Sequence, residues 1–91
     1  MKPGRKLIEK GAENCSDAEL LAIIIGTGIS GRPAESIAIE ILERYGTLAG
    51  LMGRTLSELA ESRGLGPVKA IRIAAAYELT RRVLRELENN T

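Results

Sequence analysis

The sequence contains no histidine, phenylalanine or tryptophan, one cysteine and two tyrosines. Without histidine it lacks the side chain best suited to acid–base work near neutral pH, and the commonest metal-binding nitrogen. A single cysteine, Cys15, excludes an intrachain disulfide and leaves the usual Cys/His zinc spacings without ligands. Nothing therefore calls for an oxidising compartment, and a cytoplasmic location is expected. Tyr45 and Tyr77 alone make no stacking platform for single-stranded nucleic acid. The longest apolar run, Leu20 to Ile25, is far shorter than the ~20 residues of a membrane-spanning helix. No basic segment followed by an apolar one marks a leader at the start. Neither sign of charge dominates: 13 basic and 12 acidic residues give a net charge of +1. Attraction to a polyanion would need a local patch.

What remains is a composition that folds, with 44% hydrophobic and 27% charged residues. The core must come from Ile, Leu, Val and Ala, and small Ala side chains suit close helix packing. A chain of 91 residues fits one domain. It buries only about 60–65% of its unfolded surface. That allows one core but hardly a deep cavity besides, so neither a small-molecule substrate nor a cofactor is expected.

Punctuation along the chain predicts an all-α fold of about five helices. Lys6 to Lys10 suits a short helical turn before Gly11. Ser16-Asp17-Ala18-Glu19 is a capping box opening a helix that runs to about Ile25 and stops at Gly26-Thr27-Gly28. A loop follows through Ser30-Gly31. Pro33 then suits the first turn of a second helix, whose apolar stripe includes Ile37 and Ile41 and which Gly46 ends. Residues 47–53 suit a short helix. Thr55-Leu56-Ser57-Glu58 is a second capping box, and its brief helix breaks at Gly64-Leu65-Gly66. Pro67 starts the longest helix, with Ile71, Ile73, Ala74, Ala75, Leu79 and Val83 as its apolar positions. Arg81, Arg82 and Arg85 lie toward its end, where the helix dipole favours cations. No alternating β-branched stretch competes.

Two segments share one plan of short helix, Gly-x-Gly turn, proline and apolar helix. Gly26 and Gly28 correspond to Gly64 and Gly66, and Pro33 and Ile37 to Pro67 and Ile71. The expected organisation is a single domain over 1–91, pseudo-duplicated. Its first hairpin spans 16–46, its connector 47–54 and its second hairpin 55–88. Two hairpins can bury each other's apolar faces where one alone is too small.

The second hairpin carries the candidate chemistry. Gly64 and Gly66 open backbone conformations closed to other residues and leave no Cβ between backbone and ligand. Leu65 can turn inward and pin the turn. The amides of Gly66, Val68 and Lys69 lie where a helix N-terminus binds anions. The Lys69 ammonium stands at the same point, and Arg72 follows one turn on. Nucleic-acid phosphates fit such a site, which positions a protein on DNA without reading bases. A glycine C-cap between two helices, and a solvated face for Lys69 and Arg72, would give the same pattern. In the first hairpin Gly26-Thr27-Gly28 has a polar residue where the anchor belongs. There Arg32 either meets a phosphate or the hairpin simply scaffolds its twin.

The Gly64-Leu65-Gly66-Pro67-x-Lys69-Ala70 run resembles helix-hairpin-helix modules that grip the DNA backbone. With Arg5 to Gly11 and the stretch from Cys15 through Ser-Asp-Ala-Glu-Leu-Leu-Ala to Ile23, nearly the whole chain is similar to the N-terminal domain of the RadC family. The resemblance implies an association with DNA repair, and that this region precedes a larger JAB/MPN metalloprotease-type domain with a His-rich zinc motif. This chain has no His, so no metal site carries over and no catalytic residue is assigned. The functional expectation is a sequence-nonspecific module that binds DNA-backbone phosphates through Gly64, Leu65, Gly66, Val68, Lys69 and Arg72, with Gly26, Gly28 and Arg32. The alternative is a protein-interaction or interdomain-docking module that does not bind DNA. On either view the chain is not an enzyme by itself and is the N-terminal part of a longer protein.

Overall fold

Side-chain caps open half of the helices, and a proline stands at or beside the start of the others. In the computed structural model, which describes every residue except Ser30, Arg63 and Thr91, the elements are α1 (Pro3–Lys10), a 3₁₀ turn (Ala12–Asn14), α2 (Asp17–Ile25), α3 (Ala34–Tyr45), α4 (Leu48–Leu51), α5 (Leu56–Ala60) and α6 (Gly66–Asn89). No strand occurs among the described residues; the one β-type pairing is the bridge between Ile29 and Arg32. The fold is all-α, as expected, with six helices among the described residues rather than about five. The helical turn expected at Lys6–Lys10 is the end of a full helix, α1, which opens earlier at Pro3 because a proline near the N-terminus gives up no helical hydrogen bond. Part of the loop expected through Ser30-Gly31 lies outside the described residues.

Both capping boxes form. Ser16 Oγ accepts from the Glu19 amide at 3.1 Å, and Glu19 Oε1 accepts from the Ser16 amide at 2.9 Å. The same Glu19 oxygen accepts from Lys6 Nζ at 2.9 Å, which ties α1 to the start of α2. Thr55 and Glu58 repeat the box at 3.1 Å in each direction. The Ser16 amide, and after it Lys6, hold the Glu19 carboxyl below the ordinary carboxylate range. Glu19 in turn raises Lys6. The Thr55 amide lowers Glu58 in the same way.

The helices form two packed pairs, α2 with α3 and α5 with α6, and α2 packs on α6 to join them. Their buried side chains make one aliphatic cluster that includes Ile25, Ile37, Ile41, Leu51, Leu59 and Ile73. Tyr45 packs on its edge between the guanidinium groups of Arg44 and Arg54, 5.4 and 4.9 Å from the ring centre. Arg72 adds a polar clasp, for its Nη1 donates to the Ile25 carbonyl at 3.1 Å. That carbonyl is in the last turn of α2, where no further helical amide is available.

The last helix departs from expectation. Of its anticipated apolar positions Ile73 is buried, but Ile71, Ala75, Leu79 and Val83 are exposed, and Ala70 takes the other core place. Periodicity reports an apolar stripe; it does not report whether a neighbour exists to cover it. Every residue from Leu79 to Asn90 is exposed. The 24 residues of α6 reach about 36 Å at 1.5 Å per residue, so the helix outruns the body it packs on. The radius of gyration, 13.7 Å, exceeds the roughly 12 Å of a compact chain this size for that reason. Arg81 and Arg82 are not at the helix end either; they reach back to Glu78 at 2.6 and 3.0 Å.

Two outcomes follow from these contacts. Arg72→Met should lower unfolding stability in urea by about 1 kcal/mol, through the lost charged hydrogen bond, while Arg85→Met stays within about 0.5 kcal/mol of wild type. Equal effects of the two would show that the clasp contributes nothing. Glu19, Glu58 and Glu78 all have folded pKa values below the unfolded one, so their stabilisation is complete above about pH 4.3 and is lost as the pH falls through the folded values. The melting temperature by circular dichroism should therefore drop between about pH 6 and about pH 3, and drop less in Glu19→Gln, which keeps an acceptor but does not titrate.

Candidate functional site

The turn between α5 and α6 is built on backbone that only glycine adopts easily. Gly64 has φ 85° and Gly66 has φ 67°. Between them Leu65 is 3% exposed and belongs to the core, and its amide donates to the Ser62 carbonyl at 3.1 Å. The expected inward anchor is therefore present. A Cβ on Gly64 would lie 3.0 Å from Cδ1 of Ile37, a fully buried side chain of α3. The second turn thus rests directly on the first helix pair.

α6 begins at Gly66, one residue before Pro67. Pro67 has no N–H, so the first-turn amides without an intrahelical carbonyl are those of Gly66 and Val68. The Lys69 amide stands where the first helical hydrogen bond closes, which leaves Lys69 to act through its ammonium. Val68 is exposed and Lys69 half-buried. Lys69 makes no ion pair among the described residues, whereas Lys6, Arg5, Arg32, Arg54, Arg81 and Arg82 each have a carboxylate partner.

The first turn is brought to the same side by different means. Gly26 has φ 84°, and a Cβ there would meet Arg72 Nη1 at 2.7 Å. Gly28 is required by close approach instead: a Cβ would fall 2.0 Å from the Arg32 carbonyl and 2.8 Å from the Ala34 amide. Two hydrogen bonds between Ile29 and Arg32, both 2.9 Å, hold that approach. The Arg32 side chain crosses toward the second turn, with Nη1 3.5 Å from the place of a Gly64 Cβ. It is also paired with Glu40 of α3.

All nine sequence-selected positions therefore fall on or beside two adjoining turns. Gly64, Gly66, Val68 and Lys69 surround the α6 N-terminus, with Leu65 as the anchor beneath. Gly26 and Arg72 form the clasp between the pairs, and Gly28 and Arg32 shape the first turn and its link to Gly64. Glu40 was not among the selected residues; nothing in the spacing of α3 indicates that it meets Arg32 eight residues earlier across a turn. A further feature without a sequence signal is an open cleft of about 870 Å³ between residues 1–5 and the first turn, where Ile23, Gly26, Gly28 and Ala34 line one side. Among the described residues no group of three or more His, Cys, Asp or Glu is placed to hold a metal ion. No helix among them is long and apolar enough to cross a membrane.

Residues 1–71 match the family model for the UPF0758 N-terminal region. A UPF0758 protein of Alteromonas mediterranea is 42% identical over 83 residues, which cover 91% of this chain and 37% of that relative. One from Nitrosomonas europaea is 45% identical over 85 residues, covering 93% of this chain and 38% of its own length. One from Xanthomonas euvesicatoria is 46% identical over 83 residues, 91% of this chain and 37% of the relative. The chain thus spans well under half the length of these curated relatives. No solved structure matches. By the family model and by these relatives, the chain belongs to the UPF0758 family, the RadC-like family its sequence resembles, and carries the N-terminal region.

Proposed function

We propose that this region is a sequence-nonspecific module that binds DNA-backbone phosphates, acting as a helix-hairpin-helix element within a DNA-repair-associated protein. One observation carries the proposal. The α6 N-terminus brings together two left-handed glycines over a buried Leu65 anchor, the Gly66 and Val68 amides, and a half-buried Lys69 ammonium without an ion-pair partner among the described residues. A phosphate there meets fixed N–H donors, the positive end of a 24-residue helix and the Lys69 charge. Leu65 supports the turn from beneath rather than touching the ligand. Arg32 and Arg72 act as positioning residues, since Glu40 and the Ile25 carbonyl engage them. Gly26 and Gly28 let the first turn approach closely enough to supply that support.

With so few exposed donors the number of phosphates contacted is about 2–4, and affinity should fall with salt by a log–log slope of about −0.9 for each. Fluorescence anisotropy of labelled duplex and branched DNA over a salt series measures this. Lys69→Glu should weaken binding by about tenfold and flatten the slope by about one unit, alike for unrelated sequences. Absence of binding at low salt, or binding unchanged by Lys69→Glu, would remove the proposal.

A further inference from the structure

The distal half of α6 has two faces of opposite character. Leu79, Val83, Leu84 and Leu87 are each more than half exposed. At 3.6 residues per turn they fall within an arc of about 140°, together with Ala76 and Thr80. The six charged residues between 78 and 88 all fall on the remaining arc. There Glu78 is shared by Arg81 and Arg82 at 2.6 and 3.0 Å, so the polar face is internally balanced and suits solvent. The apolar face has no neighbour among the described residues, since α6 packs on α5 and α2 through its proximal half. Singly scattered apolar residues on a surface are ordinary, but four lined up on one helix face form the contiguous kind of patch that is used for interaction.

We infer that this face is the seat for the polypeptide that follows the N-terminal region in the longer members of the family. Three observations select that occupant. The family model of the N-terminal region ends at residue 71, early in α6, but similarity to the relatives continues. A match covering 83 of 91 residues must include Val83, so the distal helix belongs to what this chain shares with them. Those relatives are more than twice as long, since the chain covers 37–38% of them, and the family match is to their N-terminal region, so α6 leads from it toward their remainder. Finally, the stripe is too broad for a partner helix alone. A two-stranded coiled coil needs a narrow seam, whereas an apolar arc above about 100° is what a helix presents to a folded body. The inference stands apart from DNA binding, for the face and the α6 N-terminus lie at opposite parts of the helix.

Maleimide labelling tests it. Single cysteines replace Val83, Leu87, Arg82 or Arg85 in this chain with Cys15→Ser, and stand at the matching positions of the full-length Nitrosomonas europaea relative. All four should label fast in the 91-residue chain. In the full-length relative, labelling at 83 and 87 should slow at least about tenfold while 82 and 85 stay fast. Equal rates on both faces of the relative would overturn the inference. Sedimentation of this chain provides the second arm. A monomer at micromolar concentration is expected. A dimer that Val83→Glu with Leu87→Glu dissolves, while the circular-dichroism melt is unchanged, would assign the face to a second copy and overturn it as well.

Discussion

Two glycines let the two helix pairs meet, and the rest of the molecule depends on that meeting. Neither pair can bury its own apolar side chains, because each has only one helix of substantial length packed on a short one or a single partner. Gly64 rests on Ile37 of α3, where an added Cβ would press on the side chain, and Gly26 leaves space for Arg72 to reach the Ile25 carbonyl. Each turn is thus completed by a residue of the other pair. Removing these contacts would separate Leu65 and Ile73 from Ile25 and Ile37, and one aliphatic core would become two that are too small to persist.

That mutual dependence also explains what could be read along the chain. Capping boxes involve residues three apart, so Ser16 with Glu19 and Thr55 with Glu58 are visible in the sequence and form as written. Leu65 was legible as an anchor because glycine on both sides leaves it no other purpose. Arg72 was legible only as a cation near a candidate phosphate site; its partner is 47 residues away, and no local pattern indicates it. Arg32 was likewise selected for its charge, but its surroundings, Glu40 and the space over Gly64, exist only once the pairs dock. The stripe from Ile71 to Val83 was legible as amphipathic helix, but burial depends on a neighbour, and the distal half of α6 has none.

The near-zero net charge takes on a different meaning once the pairs are located. Half of the twelve described cations pair with a nearby carboxylate on their own or another element, as Arg5 does with Glu9 and Arg54 with Glu58. Such exposed pairs contribute little stability each. Their larger effect is to reduce broad positive potential on the surface, so that attraction to a polyanion would rest on the cations outside such pairs. Lys69 is one of them, and it sits where the helix dipole adds to its charge. A surface of this kind favours short-range, geometry-dependent contact with phosphate over long-range steering.

α6 unites these properties in one rigid element. Its first turns carry the glycine turn and the Lys69 ammonium, its proximal half supplies Ala70 and Ile73 to the core, and its distal half is bare on one face. A continuous helix transmits orientation, because bending it without a proline, glycine or bulge strains successive hydrogen bonds. Between Val68 and Asn89 there is no such interruption. A body seated against Val83 and Leu87 is therefore held at a fixed distance and angle from the Gly64–Lys69 turn, roughly 20–30 Å along the helix at 1.5 Å per residue. The small core does not require the length of α6; if both proposals hold, that length sets the two surfaces in register.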